Sequence, residues 1–181
     1  MTPSVERTLS VATRLHACGR AKSWLKSIKK KTSKEVWETN FQPEWMLWYA
    51  GKLEVDHRRL VAAGIGLLQG VKPRLSLVEK DALYTLEDWV KYPDAIRPPN
   101  NPTISYPLLG HEEAIFKVVQ AARRPEATKY FLFSMVGHLE SEMAVPYRRK
   151  FRRECARRIA YVIPWFLIEE AEDAYVSNMR L

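Results

Sequence analysis

Residues 76–90 read SLVEKDALYTLEDWV. Ser76 and Glu79 stand at capping-box spacing. In that motif the serine hydroxyl accepts from the amide three residues on, and the glutamate reaches back to the serine amide. Val78, Ala82, Leu86, Trp89 and Val90 then recur at helical spacing and predict the core face of an amphipathic helix. No other segment of the chain is as clearly patterned, and the segments on both sides repeat its logic.

Toward the N-terminus, Asp56 is placed to cap a helix in which Leu60, Ala63, Gly64, Leu67 and Leu68 share a face. The small residues at 62–66 predict a close helix crossing. Pro43 suits the first position of a helix over 43–52. Within it Trp45, Trp48 and Tyr49 fall at i, i+3 and i+4, which predicts packing rather than ligand stacking. Ser33 is read as the N-cap of a short helix to Thr39. Residues 4–15 and 18–28 carry stripes through Val5, Leu9, Ala12 and Leu15 and through Ala21, Trp24, Leu25 and Ile28.

Toward the C-terminus, residues 92–108 (YPDAIRPPNNPTISYPL) hold five of the eleven prolines. Proline lacks an amide donor and restricts its predecessor, so this stretch predicts a loop. Helices follow over 111–123, from Pro125 to about Met143, from Pro146, and over 165–176 beyond Pro164. No segment alternates as a strand. The expectation is an all-α fold of about eight helices packed as one compact bundle around a shared core. It is a single domain over 1–181, with the Pro-rich loop at 92–108 separating two helical halves.

The net charge of +8 is concentrated in two places. Residues 20–34 hold seven basic residues and no acid, and residues 147–158 (YRRKFRRECARR) hold seven and one. Together these patches exceed the net charge, so the rest of the chain is acidic by five. That distribution points to a localised acidic partner rather than to general solubility. In helical projection Phe151, Cys155, Ile159 and Val162 form one narrow face of the second patch, with Arg148, Arg152 and Arg158 flanking it. Arg149, Lys150, Arg153 and Arg157 lie opposite. Partial neutralisation by Glu169, Glu170, Glu172 and Asp173 is the simplest alternative to a binding role. Lys29, Lys30 and Lys31 form the core of the first patch.

Signals for chemistry are weak. Glu140 and Glu142 are too close in sequence to share a helix face. His138 and Glu142 have metal-pair spacing with no third ligand. No serine has a nucleophile-elbow setting, and Gly64 and Gly66 lack a phosphate-loop context. An enzyme would need a cleft assembled from distant residues such as His57, His111 and His138. Cys18 and Cys155 are read as two reduced, packed thiols. No apolar run approaches the roughly 20 residues of a membrane span and no signal peptide is visible, so the expected location is cytoplasmic. No cofactor is expected.

Three segments carry a resemblance: LHACGRAKSWL (15–25), EWMLWYAGKL (44–53) and CARRIAYVIPWFLIEEA (155–171). With the Asp-led small-residue helix from Asp56, they are similar to the immunity-five-like family of small helical proteins in bacteria and phages. The matched residues are mainly packing and turn residues. The dense basic residues and the Pro-rich insertion depart from the family pattern. The resemblance implies a helical protein that neutralises a toxin by binding it, and it assigns no functional residue. The resulting expectation is a non-enzymatic binding or inhibitory protein, immunity-like or a phage accessory or anti-defence protein. It would bind an acidic protein surface, a toxin or a defence protein through Arg149, Lys150, Arg153, Arg157, Lys29, Lys30 and Lys31. Nonspecific nucleic-acid binding is the alternative.

Overall fold

A computed structural model of the chain describes residues 5–28, 31–39, 42–100 and 110–179. The helical expectation holds, with ten α-helices rather than about eight and no strand among the described residues. They are α1 (Val5–Arg14), α2 (Gly19–Ser27), α3 (Ser33–Thr39), α4 (Pro43–Lys52), α5 (His57–Leu68), α6 (Leu77–Lys91), α7 (Gly110–Arg123), α8 (Thr128–Ser141), α9 (Val145–Val162) and α10 (Trp165–Asn178). Short 3₁₀ turns at Lys72–Arg74 and Pro125–Ala127 precede α6 and α8.

The predicted caps set several of these boundaries. Asp56 accepts from the Arg59 amide at 3.0 Å. Ser76 and Glu79 form both arms of their capping box, at 2.7 and 3.3 Å. Ser33 does not cap α3. Thr32 takes that role, bonding reciprocally with Glu35 at 2.7 and 3.2 Å. Ser33 lies one residue inside the helix and turns inward, 1% exposed, with its hydroxyl 2.7 Å from the Thr8 hydroxyl oxygen. The expected core face of α6 holds at Ala82, Leu86 and Trp89, which are buried together with Leu83, and at Val90, which packs partly against the core. Val78 is exposed, and Glu79 takes the inward position in the first turn.

At the centre α7 lies along α8, with α4 on the other side of α8. Helix α5 packs on α6, α7, α8 and α9, and α9 also crosses α3 and α4. Helices α1, α2, α3 and α10 associate with one another, so the last helix returns to the first. Buried residues from both sides of the Pro-rich segment join one core. Residues 92–100 of that segment are turn and coil, and the rest of it lies outside the described residues.

The small residues of α5 divide into two kinds. A Cβ at Gly64 would fall 2.7 Å from Leu132 Cδ2 and 3.4 Å from Val118 Cγ2, whereas one at Gly66 would meet nothing within 4 Å. Leu132 is fully buried and has nowhere to move. Gly64→Ala is therefore expected to destabilise by about 1–3 kcal/mol despite the better helix propensity of alanine. Gly66→Ala is expected to stabilise by about 0.5–1 kcal/mol. Urea denaturation of the two variants checks the opposite signs.

The α10–α1 contact contains a buried acid. Glu172 is fully enclosed, and its Oε1 accepts from Tyr49 Oη at 2.6 Å and Thr8 Oγ1 at 3.0 Å. Arg7 pairs with both Glu172 and Asp173. These two carboxylates are therefore held by α1 and α4, and of the four acids named as neutralising the basic helix, Glu172 and Asp173 pair with Arg7 instead. Burial pushes the Glu172 carboxyl above its ordinary 4.5, against the hydrogen bonds from Tyr49 and Thr8 and the charge of Arg7. The folded state thus holds this proton more tightly than the unfolded chain. Its contribution to stability is fully present below pH 4.5 and is lost as the pH rises through the folded value. Glu172→Gln keeps an acceptor for Tyr49 and Thr8 and removes the proton linkage. Wild-type stability relative to Glu172→Gln should decline as the pH rises above 4.5, read from paired urea midpoints. A gap that does not change with pH would contradict it.

Candidate functional site

Helix α9 begins without a side-chain cap, with Pro146 in its first turn. Cys155, Ala156 and Ile159 are buried, and Phe151 and Val162 pack partly against the core, so the projected apolar face is the packed one. Burial pushes the Cys155 thiol up to about 12, which makes it an inert packing group. Cys18 is not packed. It is exposed at the extended N-cap position of α2, which points it away from the core.

The seven basic residues of 147–158 separate into committed and uncommitted groups. Arg152 is committed most fully. Its Nε and Nη2 clasp Glu140 at 2.8 and 2.7 Å, and Nη1 reaches Glu44 at 3.0 Å and Gln42 at 2.7 Å. The bond to Glu140 raises its pKa further. Arg158 donates to the Gly66 carbonyl at 2.7 Å and to Glu154 at 3.1 Å. Arg148 donates to the Met143 carbonyl at 3.2 Å. Arg157 is exposed and pairs with Glu154 at 3.1 Å.

Arg149, Lys150 and Arg153 are exposed, and among the described residues no carboxylate pairs with them. Tyr161, 87% exposed, lies beside their outward arc of α9, and Tyr147, 65% exposed, lies at its flank. Projection alone groups the four outward cations. The pairing of Arg157 and the two tyrosines are added by the structure. Tyr161 was legible too, because its helical angle lies about 20° from that of Lys150.

Lys29 and Lys30 lie outside the described residues. Lys31 is exposed, with its ammonium 3.5 Å from the Thr39 hydroxyl. The three histidines named as enzyme candidates are not gathered into one cleft. His57 Nε2 meets the Ala121 carbonyl at 2.7 Å near the end of α7, whereas His111 occupies its start, about 15 Å away along the helix. Glu140 and Glu142 diverge, the first to Arg152 and the second to His111 and Arg74. His138 faces Glu113 at 3.9 Å rather than Glu142.

Tyr49 is buried as expected, and Trp45 stacks obliquely on Trp24 at 5.7 Å. These rings, with Trp37, Trp48 and Trp165, enclose an apolar cavity of about 60 Å³. That space holds no more than a few waters, so the tryptophan cluster is packing. No family model matches the chain, and no curated protein or solved structure is found to be similar to it.

Proposed function

We propose that this protein is a non-enzymatic binding protein that docks an acidic protein partner through the outer face of α9. The observation that carries this reading is the division among the arginines. Arg152 and Arg158 are tied into the fold, while Arg149, Lys150 and Arg153 stand in water with no counter-charge among the described residues. Arginine and tyrosine dominate the energetics of protein interfaces, and Tyr147 and Tyr161 extend the cationic strip at both ends. At 18 residues the helix is about 27 Å long, enough to lie along a partner's groove. Its rigid anchorage through Ile159 and Arg152 lowers the ordering cost of binding. The cations would speed association and select an acidic surface. The resemblance to the immunity-five-like family gives the partner its form: a toxin or defence protein that this chain inhibits, in a bacterial or phage setting.

Nucleic acid is the less favoured partner. Three uncommitted cations neutralise about three phosphates, which gives weak affinity with a shallow salt dependence. The test is affinity purification with the wild type and with the triple variant Arg149→Glu, Lys150→Glu, Arg153→Glu, matched by thermal melting. A stoichiometric acidic protein that the wild type retains, and that the variant and high salt release, is the expected result. Retention of that partner by the variant, or salt-sensitive nucleic acid as the sole captured species, would overturn the reading.

A further inference from the structure

Gly110 opens α7 where the chain passes very close to the end of α8. A Cβ there would lie 2.5 Å from the His138 carbonyl oxygen and 2.8 Å from Glu142 Cγ. The approach lets one oxygen of Glu142 accept twice from His111, from the backbone amide at 2.8 Å and from Nδ1 at 2.7 Å. Arg74 holds the other oxygen at 3.3 Å. A carboxylate only accepts, so Nδ1 carries the proton and Nε2 presents its lone pair. The His111 side chain is 10% exposed, and among the described residues Nε2 has no hydrogen-bond partner.

Two carboxylates stand beside this imidazole. One ligand atom from each of Glu79, His111 and Glu112 lies within 4.8 Å of the others. Glu79 is 8% exposed, receives one hydrogen bond, from the Ser76 amide, and pairs with no cation among the described residues. A buried carboxylate with no counter-charge is costly unless something positive joins it.

We propose that Glu79, His111 and Glu112 bind a divalent transition-metal ion. One imidazole and two carboxylates suit zinc and its first-row neighbours. Calcium and magnesium favour all-oxygen sites, and copper(I) favours thiolates. Glu142 is the outer partner that orients the imidazole, an arrangement common to metal-bound histidines. Zinc bonds of about 2.1 Å place tetrahedral donors about 3.4 Å apart, so binding draws these side chains together by about 1.4 Å at most. Three protein ligands leave a position for water, and Glu112 sits on the part-exposed side. The ion would join the first turn of α6 to the first turn of α7.

Calorimetric titration of the full chain with Zn²⁺, and separately with Mg²⁺, tests the proposal. One Zn²⁺ per chain is expected, with no comparable binding of Mg²⁺ and a rise in melting temperature on loading. Glu79→Gln keeps an acceptor for the capping box, and Glu112→Gln keeps the size and an acceptor oxygen of its side chain, so both variants should melt close to the metal-free wild type. Each should weaken Zn²⁺ binding at least about tenfold and lose the thermal shift. Absence of saturable Zn²⁺ binding, or binding undiminished in both variants, would overturn the proposal.

Discussion

Ile159→Ala is expected to lower stability by about 3–4 kcal/mol, within the range for removing a large aliphatic side chain from a closed core. Ile159 is fully buried on the inner face of α9, between Cys155 and Ile163 along the helix. Its neighbours belong to a core to which α3, α4 and α5 all contribute, so the space left by three carbons cannot close by moving one loop. The loss appears as a shift in urea midpoint with an unchanged slope. A loss under about 1 kcal/mol would mean that α9 is docked loosely. The proposal of a rigid binding face would then fail with it, since that face depends on the anchorage.

Adjacent arginines on the same helix should behave in opposite ways. Arg152→Met is expected to cost about 2–3 kcal/mol, somewhat less than breaking a fully buried ion pair because Arg152 retains 28% exposure. Methionine keeps much of the stem packing but leaves Glu140 and Glu44, each about one-sixth exposed, without their counter-charge. Arg153→Met changes an exposed side chain with no carboxylate partner among the described residues, and should alter stability by no more than about 0.5 kcal/mol. If the reading of α9 is right, Arg153→Met weakens partner binding without touching the fold. Thermal melts and partner titrations on the two variants separate these effects. Equal stability losses in both would refute the division.

The difference between these two arginines also shows where sequence reasoning stopped. The helical projection placed Arg152 beside the apolar stripe and Arg153 opposite it, because angle along a helix is set by residue spacing alone. It did not name Glu140, Glu44 and Gln42 as partners, which come from α8, α4 and the residue before α4. Nor did it show that the acids of α10, near in sequence, turn to Arg7 on α1. Helix ends were legible where a side chain caps them, as at Asp56 and Ser76. They were less so where backbone alone closes them. His16 and Glu54 adopt positive φ at the ends of α1 and α4, with the Ala17 and Val55 amides reaching back to Ala12 and Ala50, and neither site carries the usual glycine.

The candidate metal centre was invisible for a related reason. Glu79 and His111 are 32 positions apart, and the only local metal spacing, His138 with Glu142, is not used. What joins the ligands is the packing of α6 against α7, and the close passage of α7 past α8 at Gly110 supplies only the outer partner Glu142.

By itself the sequence determined that the chain is helical, where most helices begin and which side of α9 is apolar. Those properties follow from hydrogen bonding and side-chain spacing within one turn or a few. Only the tertiary structure decided which charges are spent and which are free. Ion pairs and ligand sets form between side chains distant along the chain, and their partners are chosen by how the helices cross. That choice leaves Arg149, Lys150 and Arg153 in water, closes Arg152 into the fold, and brings Glu79 to the imidazole of His111.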